Sequence, residues 1–286
     1  MSPVESPREI RLPLPGLTLA ARAWGPESGA RVLALHGWLD SAASFDRLAP
    51  LLPGLHLVCL DLAGHGLSEH RHVTASYDFV YWIPDVLAAA DALGWERFSI
   101  IGHSMGAMVA SCVAGTAPER IERMALVDGL GPLTNEPDAA PERLARAIAV
   151  QRRIAARAPL VFSDRAAAAD RLCEAVAGLS REAAETLVAR GTRETEGGVS
   201  WRHDPRLRGK SLLRLTEAQV HAFLRRIACP TLVFRPEQGW PADEALLKAR
   251  LDCLADGRLL RVPGGHHVHL VDPDVVAPAI QRLFQK

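Results

Sequence analysis

Phe98-Ser-Ile-Ile-Gly-His-Ser104-Met-Gly106 decides the fold of this 286-residue chain. A short apolar, β-branched run meets the pentapeptide Gly102-His-Ser104-Met-Gly106, and residues 107–117 continue at once in a helix-like composition. The sequence predicts a buried strand, a sharp turn and a helix, the arrangement called a nucleophile elbow. A serine at that turn stands clear of the sheet edge, and the two glycines leave room for strand and helix to cross. The helix also points its free N–H groups and positive dipole end at the serine. So short a motif also arises by chance, so the flanking pattern must carry the argument.

Working outward, Arg8–Leu14 and Leu17–Trp24 flank Pro15-Gly16 and predict a hairpin. Residues 31–35, 55–60, 124–127, 231–234 and 259–262 are short apolar runs, as strands covered on both faces should be. Between and after them, residues 45–52, 77–93, 242–254 and 274–284 read as helices. Strands alternating with helices predict an α/β fold with a mostly parallel, doubly wound sheet. From Gly131 to Leu215 the strand signal stops, and residues 141–157, 165–176 and 181–189 read as alanine- and arginine-rich helices. The expected organisation is therefore a core of residues 1–130 and 216–286 with a helical cap inserted at 131–215. The cap carries net positive charge, best explained by a solvated helical face, with attraction of an anionic substrate the weaker explanation. Thr216-Glu-Ala-Gln219 has the form of a capping box opening the helix that returns to the sheet.

Lys+Arg and Asp+Glu both number 33, so the chain shows none of the basic excess of nucleic-acid-binding domains. Its five cysteines are scattered, with no Cys-x-x-Cys pair, and read as reduced thiols rather than a disulfide frame or zinc site. The N-terminus has acids and prolines but no apolar core of a signal peptide, and no run suits a membrane span. A soluble, cytoplasmic protein acting on a small molecule, with no nucleic-acid or membrane partner, is the expectation. Oligomeric state is not legible.

Three further motifs join the elbow. His36-Gly37-Trp38 follows the third strand, Asp61-Leu-Ala-Gly64-His65-Gly66-Leu-Ser68 follows the fourth, and Gly265-His266 follows the last. Four motifs in this order resemble the α/β-hydrolase superfamily over nearly the whole chain. Within it, residues 36–46, 201–207 and 215–220 look similar to the serine hydrolase-like, kraken-type branch.

A serine hydroxyl needs a base, and the base an orienting acid, which on this fold follow the serine in the order acid, then histidine. His266 is the expected base because it follows Gly265 and precedes the Pro273 that opens the last helix. His267 and His269 read as packing or loop residues. The tract does not read as a metal site, since no cysteine or carboxylate pair accompanies it in sequence. The chemistry calls for no cofactor. The resemblance implies an oxyanion hole from the backbone N–H groups of Trp38 and Met105. His36 and the 61–68 segment read as turn-formers.

The acid departs from the commonest pattern of the superfamily. Where an aspartate would follow the seventh strand, Leu232-Val-Phe-Arg-Pro-Glu-Gln-Gly239 ends in glycine. Asp128, at the end of the sixth strand, is the preferred acid, with Glu237 second and Asp243 third. These residues imply a serine hydrolase cleaving a small ester or thioester through an acyl-enzyme. A carbon–carbon bond hydrolase or lactonase would use the same groups, and a non-catalytic binding protein is the competing class.

Overall fold

A computed structural model describes residues 6–241 and 243–285. Its main sheet contains β1 (Arg8–Leu14), β2 (Leu17–Trp24), β3 (Ala30–Leu35), β4 (Leu55–Leu60), β5 (Phe98–His103) and β6 (Ile121–Val127). After a long insertion it is completed by β10 (Thr231–Gln238) and β11 (Gly257–Gly265). The order is β1-β2-β4-β3-β5-β6-β10-β11. β2 pairs antiparallel with β1 and β4, and every other pairing is parallel.

β3 shows why these runs are apolar throughout. Leu33 and Leu35 enter one core cluster while Val32 and Ala34 enter the other, so both faces lose water. The first face is covered by α1 (Trp82–Ala92), α2 (Met105–Thr116) and α6 (Glu217–Leu224). Residues of the 42–52 segment and of α9 (Ala277–Phe284) cover the second. The capping box at Thr216 and Gln219 is present at the start of α6.

Of the helices expected from sequence one is absent, and those expected over 77–93, 242–254 and 274–284 are shorter. Residues 42–45 and 49–51 form 3₁₀ turns where a helix over 45–52 was expected, since Pro50 interrupts a short, largely buried segment. The last helix is preceded by a 3₁₀ turn at Pro273–Val275.

The insertion holds α3 (Ala140–Ala155), α4 (Arg165–Ala175) and α5 (Arg181–Gly191), close to the expected helices. It also holds strands that the sequence reading missed: β7 (Val161–Phe162), β8 (Thr192–Thr195) and β9 (Gly198–Trp201), ordered β7-β9-β8. The remaining helices are α7 (Glu244–Leu251) and α8 (Val268–Val271). Leu270 of α8 packs into the apolar cluster formed by α4, α5 and β9.

One buried ion pair fastens the insertion to the sheet. Arg190 of α5 meets Asp61, just after β4, at 2.8 Å, with side chains 1% and 0% exposed. Asp61 also accepts the N–H groups of Ala42 and Leu67, so its carboxylate organises three segments. Removing one partner of such a pair leaves an uncompensated buried charge. Arg190→Met is therefore expected to destabilise the fold by about 3–5 kcal/mol, read as a lower midpoint in urea. A midpoint within error of the parent would remove this pair from the account of stability.

Candidate active site

Ser104 lies between β5 and α2 with φ 51° and ψ −115°, a conformation that a non-glycine residue adopts only under tertiary constraint. The constraint is visible. The Ser104 N–H donates to Val127 O at 2.9 Å, tying the elbow to the end of β6. A Cβ on Gly106 would stand 2.0 Å from Leu35 O, so only glycine lets α2 begin this close to the end of β3. Among the described residues the Ser104 hydroxyl has no hydrogen-bond partner, His266 included.

Asp128 follows β6 at φ 50°, and the structure brings it to His266, which follows β11. His266 Nδ1 and Asp128 Oδ2 are 2.6 Å apart. A carboxylate only accepts, so Nδ1 carries a proton, and in the neutral ring Nε2 keeps its lone pair. Two more donors hold the carboxylate: the Trp240 N–H at 2.6 Å on Oδ2, and Arg235 Nη1 at 2.7 Å on Oδ1. Burial pushes the Asp128 pKa up, but the hydrogen bonds from His266, Trp240 and Arg235 outweigh it, and the net shift is downward. Asp128 is thus an anion at neutral pH.

Glu237 is exposed on β10, and no hydrogen bond or ion pair joins it to His266 among the described residues. Asp243 caps α7, accepting the N–H groups of Ala245 and Leu246. Among the described residues neither is hydrogen-bonded or ion-paired to the imidazole. Gly239 stands where an aspartate is commonest in the superfamily, and its missing side chain leaves room for Asp128. The three atoms nearest a Cβ built on it all belong to the Asp128 carboxyl group, at 2.6–2.8 Å. The carboxylate occupies the volume that a side chain at 239 would fill. Gly239→Ala is expected to displace it and lower kcat by about 10²-fold, while the circular dichroism of the fold is retained. Unchanged kinetics would show that the carboxylate has room to spare.

The 36–40 turn begins beside the start of α2, where the Gly106 position lies against Leu35 O and His36 O. Leu39 has φ 65°, and the Asp40 N–H closes the turn on Gly37 O. Among the described residues, the backbone N–H groups of Trp38 and Met105 have no partner. The Trp38 indole donates to Leu207 O in the insertion at 2.9 Å, and its side chain is half exposed. His36 is fully buried and structural: its Nε2 accepts the Leu62 N–H, so its Nδ1–H donates to Gly37 O. Burial lowers the His36 pKa to about 4 and that of His65, stacked edge-on against it, to about 3. Sequence reading missed Arg235 and Trp240, whose service to Asp128 depends on how β10 turns after Gln238. Only the unusual glycine hinted at it.

Comparison with known proteins settles the lineage. A serine hydrolase-like protein from Dictyostelium discoideum is 36% identical over 273 residues, covering 89% of this chain and 75% of that one. This chain belongs to the α/β-hydrolase family, in its serine hydrolase-like branch. The family pattern of the α/β hydrolase fold matches residues 30–160. A crystal structure of a hypothetical protein from Pseudomonas aeruginosa PAO1 superposes with TM-score 0.90 at 47% identity, covering 96% of this chain and 97% of the other. The thioesterase domain from the curacin biosynthetic pathway is 26% identical with TM-score 0.83, covering 98% and 100%.

In this serine hydrolase-like chain the loops after β3, β5, β6 and β11 converge at the carboxyl ends of the parallel strands, where ligands of open α/β sheets bind. Trp240, 59% exposed, lies with its ring 5.8 Å from that of His266, so His266 has an apolar flank. The arginines at 146, 152 and 153 on α3 face solvent, and the charge of the insertion is largely a hydrated surface. Among the described residues no helix is long and apolar enough to cross a membrane.

Proposed function

We propose that the chain is a serine hydrolase that cleaves a small carboxylic ester or thioester through an acyl-enzyme intermediate. Ser104 Oγ attacks the acyl carbon while His266 Nε2 takes its proton, and Asp128 holds the imidazole in the required tautomer. The carbonyl oxygen, now anionic, lies between the N–H groups of Trp38 and Met105, each worth about 3–4 kcal/mol at the transition state. Collapse expels the alcohol or thiol, which takes the proton from His266. Water then attacks the acyl-enzyme by the same route and frees the acid. In this reading residues 131–215 cap a core of residues 1–130 and 216–286, and Trp38 and Trp240 line the approach to Ser104.

The observation that carries the reading is the 2.6 Å bond from His266 to an Asp128 held by two further donors. The absence of a side chain at 239 leaves the room that this carboxylate occupies. The similarity to a thioesterase domain supports the thioester half of the proposal. The test is labelling of the intact protein with a fluorophosphonate, followed by peptide mapping. One phosphonate on Ser104, with turnover of a p-nitrophenyl ester or an acyl thioester, is the expected result. A protein that binds such ligands yet neither reacts nor turns over would instead be a binding module.

A further inference from the structure

Behind the candidate active site lies a second cluster that the proposed hydrolysis does not use. Asp40, His103 and His267 each present one ligand atom, and the three atoms lie within 4.8 Å of one another. Asp40 Oδ2 is hydrogen-bonded to His267 Nε2 at 3.3 Å, through a proton that a cation would replace, accepts from Ser44 Oγ at 3.4 Å, and stands 3.6 Å from His103 Nδ1. The side chains are 10%, 8% and 1% exposed, so the cluster belongs to the interior. The sequence set aside the 266–269 histidines as ligands for want of a neighbouring carboxylate. The fold supplies one from the loop after β3, which neighbours β5 in the sheet.

The hydrogen bonding of His103 is what demands an explanation. Its Nε2 is 3.0 Å from the carbonyl oxygen of His266, which only accepts, so Nε2 must carry the proton. In the neutral ring Nδ1 is then a bare lone pair, buried, without a hydrogen-bond partner, and aimed at an anionic carboxylate. Two electron-rich atoms facing each other in a dry interior repel unless a positive centre sits between them. A protein carbonyl fixing the distal N–H of an imidazole is also how metal-bound histidines are commonly oriented.

We propose that Asp40, His103 and His267 form a binding site for a divalent cation of the zinc class. Ligand bonds of about 2.0–2.2 Å in a tetrahedron place neighbouring ligand atoms about 3.3–3.6 Å apart, which matches the two distances from Asp40. Two imidazoles and one carboxylate suit Zn²⁺, Co²⁺ or Ni²⁺ better than Mg²⁺ or Ca²⁺. His269 completes the surroundings, its ring 4.1 Å from that of His103 and its Nε2 bonded to Ser44 Oγ. Because His103 precedes Ser104 and His267 follows His266, a bound cation ties together the chain neighbours of both reacting residues.

The test treats the full chain with chelator, then titrates Zn²⁺ by calorimetry and Co²⁺ by visible absorption. One equivalent of each is expected, with Zn²⁺ displacing the Co²⁺ spectrum and raising Tm. Asp40→Asn should weaken binding by more than the roughly 10–100-fold typical of outer-shell changes, whereas His70→Gln, at an exposed histidine, should not. Should Asp40→Asn fail to fold, zinc-edge anomalous diffraction from Zn²⁺-soaked parent crystals decides, with a peak expected among the three side chains. No binding, binding that survives Asp40→Asn, or a peak elsewhere overturns the proposal. So does nitrogen NMR showing both nitrogens of His103 protonated, because an imidazolium–carboxylate pair would explain the geometry without a cation.

Discussion

Ser104→Ala is expected to lower kcat toward a p-nitrophenyl ester by about 10⁶-fold, leaving only the rate due to binding and the oxyanion donors. The size of the effect follows from the elbow. Tertiary contacts hold the serine at φ 51°, and its hydroxyl stands without a hydrogen-bond partner, ahead of a helix start with a free N–H. No second hydroxyl or thiol among the described residues shares that turn: the neighbours are His103, Met105 and Gly106, and the cysteines at 59, 112 and 229 are buried in the core. Steady-state kinetics on the purified variant, with active-site titration to exclude contaminating parent enzyme, makes the measurement. Activity above a hundredth of the parent would mean that His266 activates water directly and that no acyl-enzyme forms.

Asp128→Asn is expected to cost about 10⁴-fold in kcat with little change in KM, because the amide no longer selects the tautomer that leaves His266 Nε2 bare. A stronger form of the test exchanges two residues. Asp128 occupies φ 50°, which glycine accepts without strain, while the atoms crowding position 239 belong to Asp128 itself. The pair Asp128→Gly with Gly239→Asp should therefore return the acid to its commoner position. It should be at least about tenfold more active than Asp128→Gly alone, a small part of the roughly 10⁴-fold at stake. A double variant no better than that single one would show that the loop after β10 cannot present a carboxylate to His266.

The inner strands were legible because β3, β4 and β5 are largely buried on both faces and therefore mostly apolar, and the edge hairpin because Pro15-Gly16 marks its turn. The runs at 8–14, 17–24 and 55–60 coincide with β1, β2 and β4 to the residue. Strand ends that leave the core were not. β6 begins three residues early, through Ile121-Glu-Arg, and β10 runs on through Arg235-Pro-Glu-Gln238, where charge and proline mask an extended backbone. β8 and β9 were missed because Thr192-Arg-Glu-Thr195 is too charged and too short for periodicity to register. Gly197-Gly198, at the entry to β9, was the usable turn signal.

At the candidate site, order along the chain pointed to Ser104 and His266 and left Asp128, Glu237 and Asp243 open as the acid; the structure brings Asp128 to His266. The donors that hold Asp128, and the meeting of Asp40 with His103 and His267, were not legible. They depend on side chains converging from loops remote in sequence, and no local pattern encodes that.

Leu39, Ser104 and Asp128 are the only non-glycine residues with positive φ among those described, and all three belong to the loops gathered around His266. Each holds about 1–3 kcal/mol of backbone strain that the packed sheet must sustain. The chain would fold more comfortably with glycine at 104 and 128, and would then lack both the hydroxyl and the anion on which the proposed hydrolysis rests. Durability and activity consequently pull in opposite directions at these two positions, so repeated selection for heat resistance alone would erode the site before the scaffold.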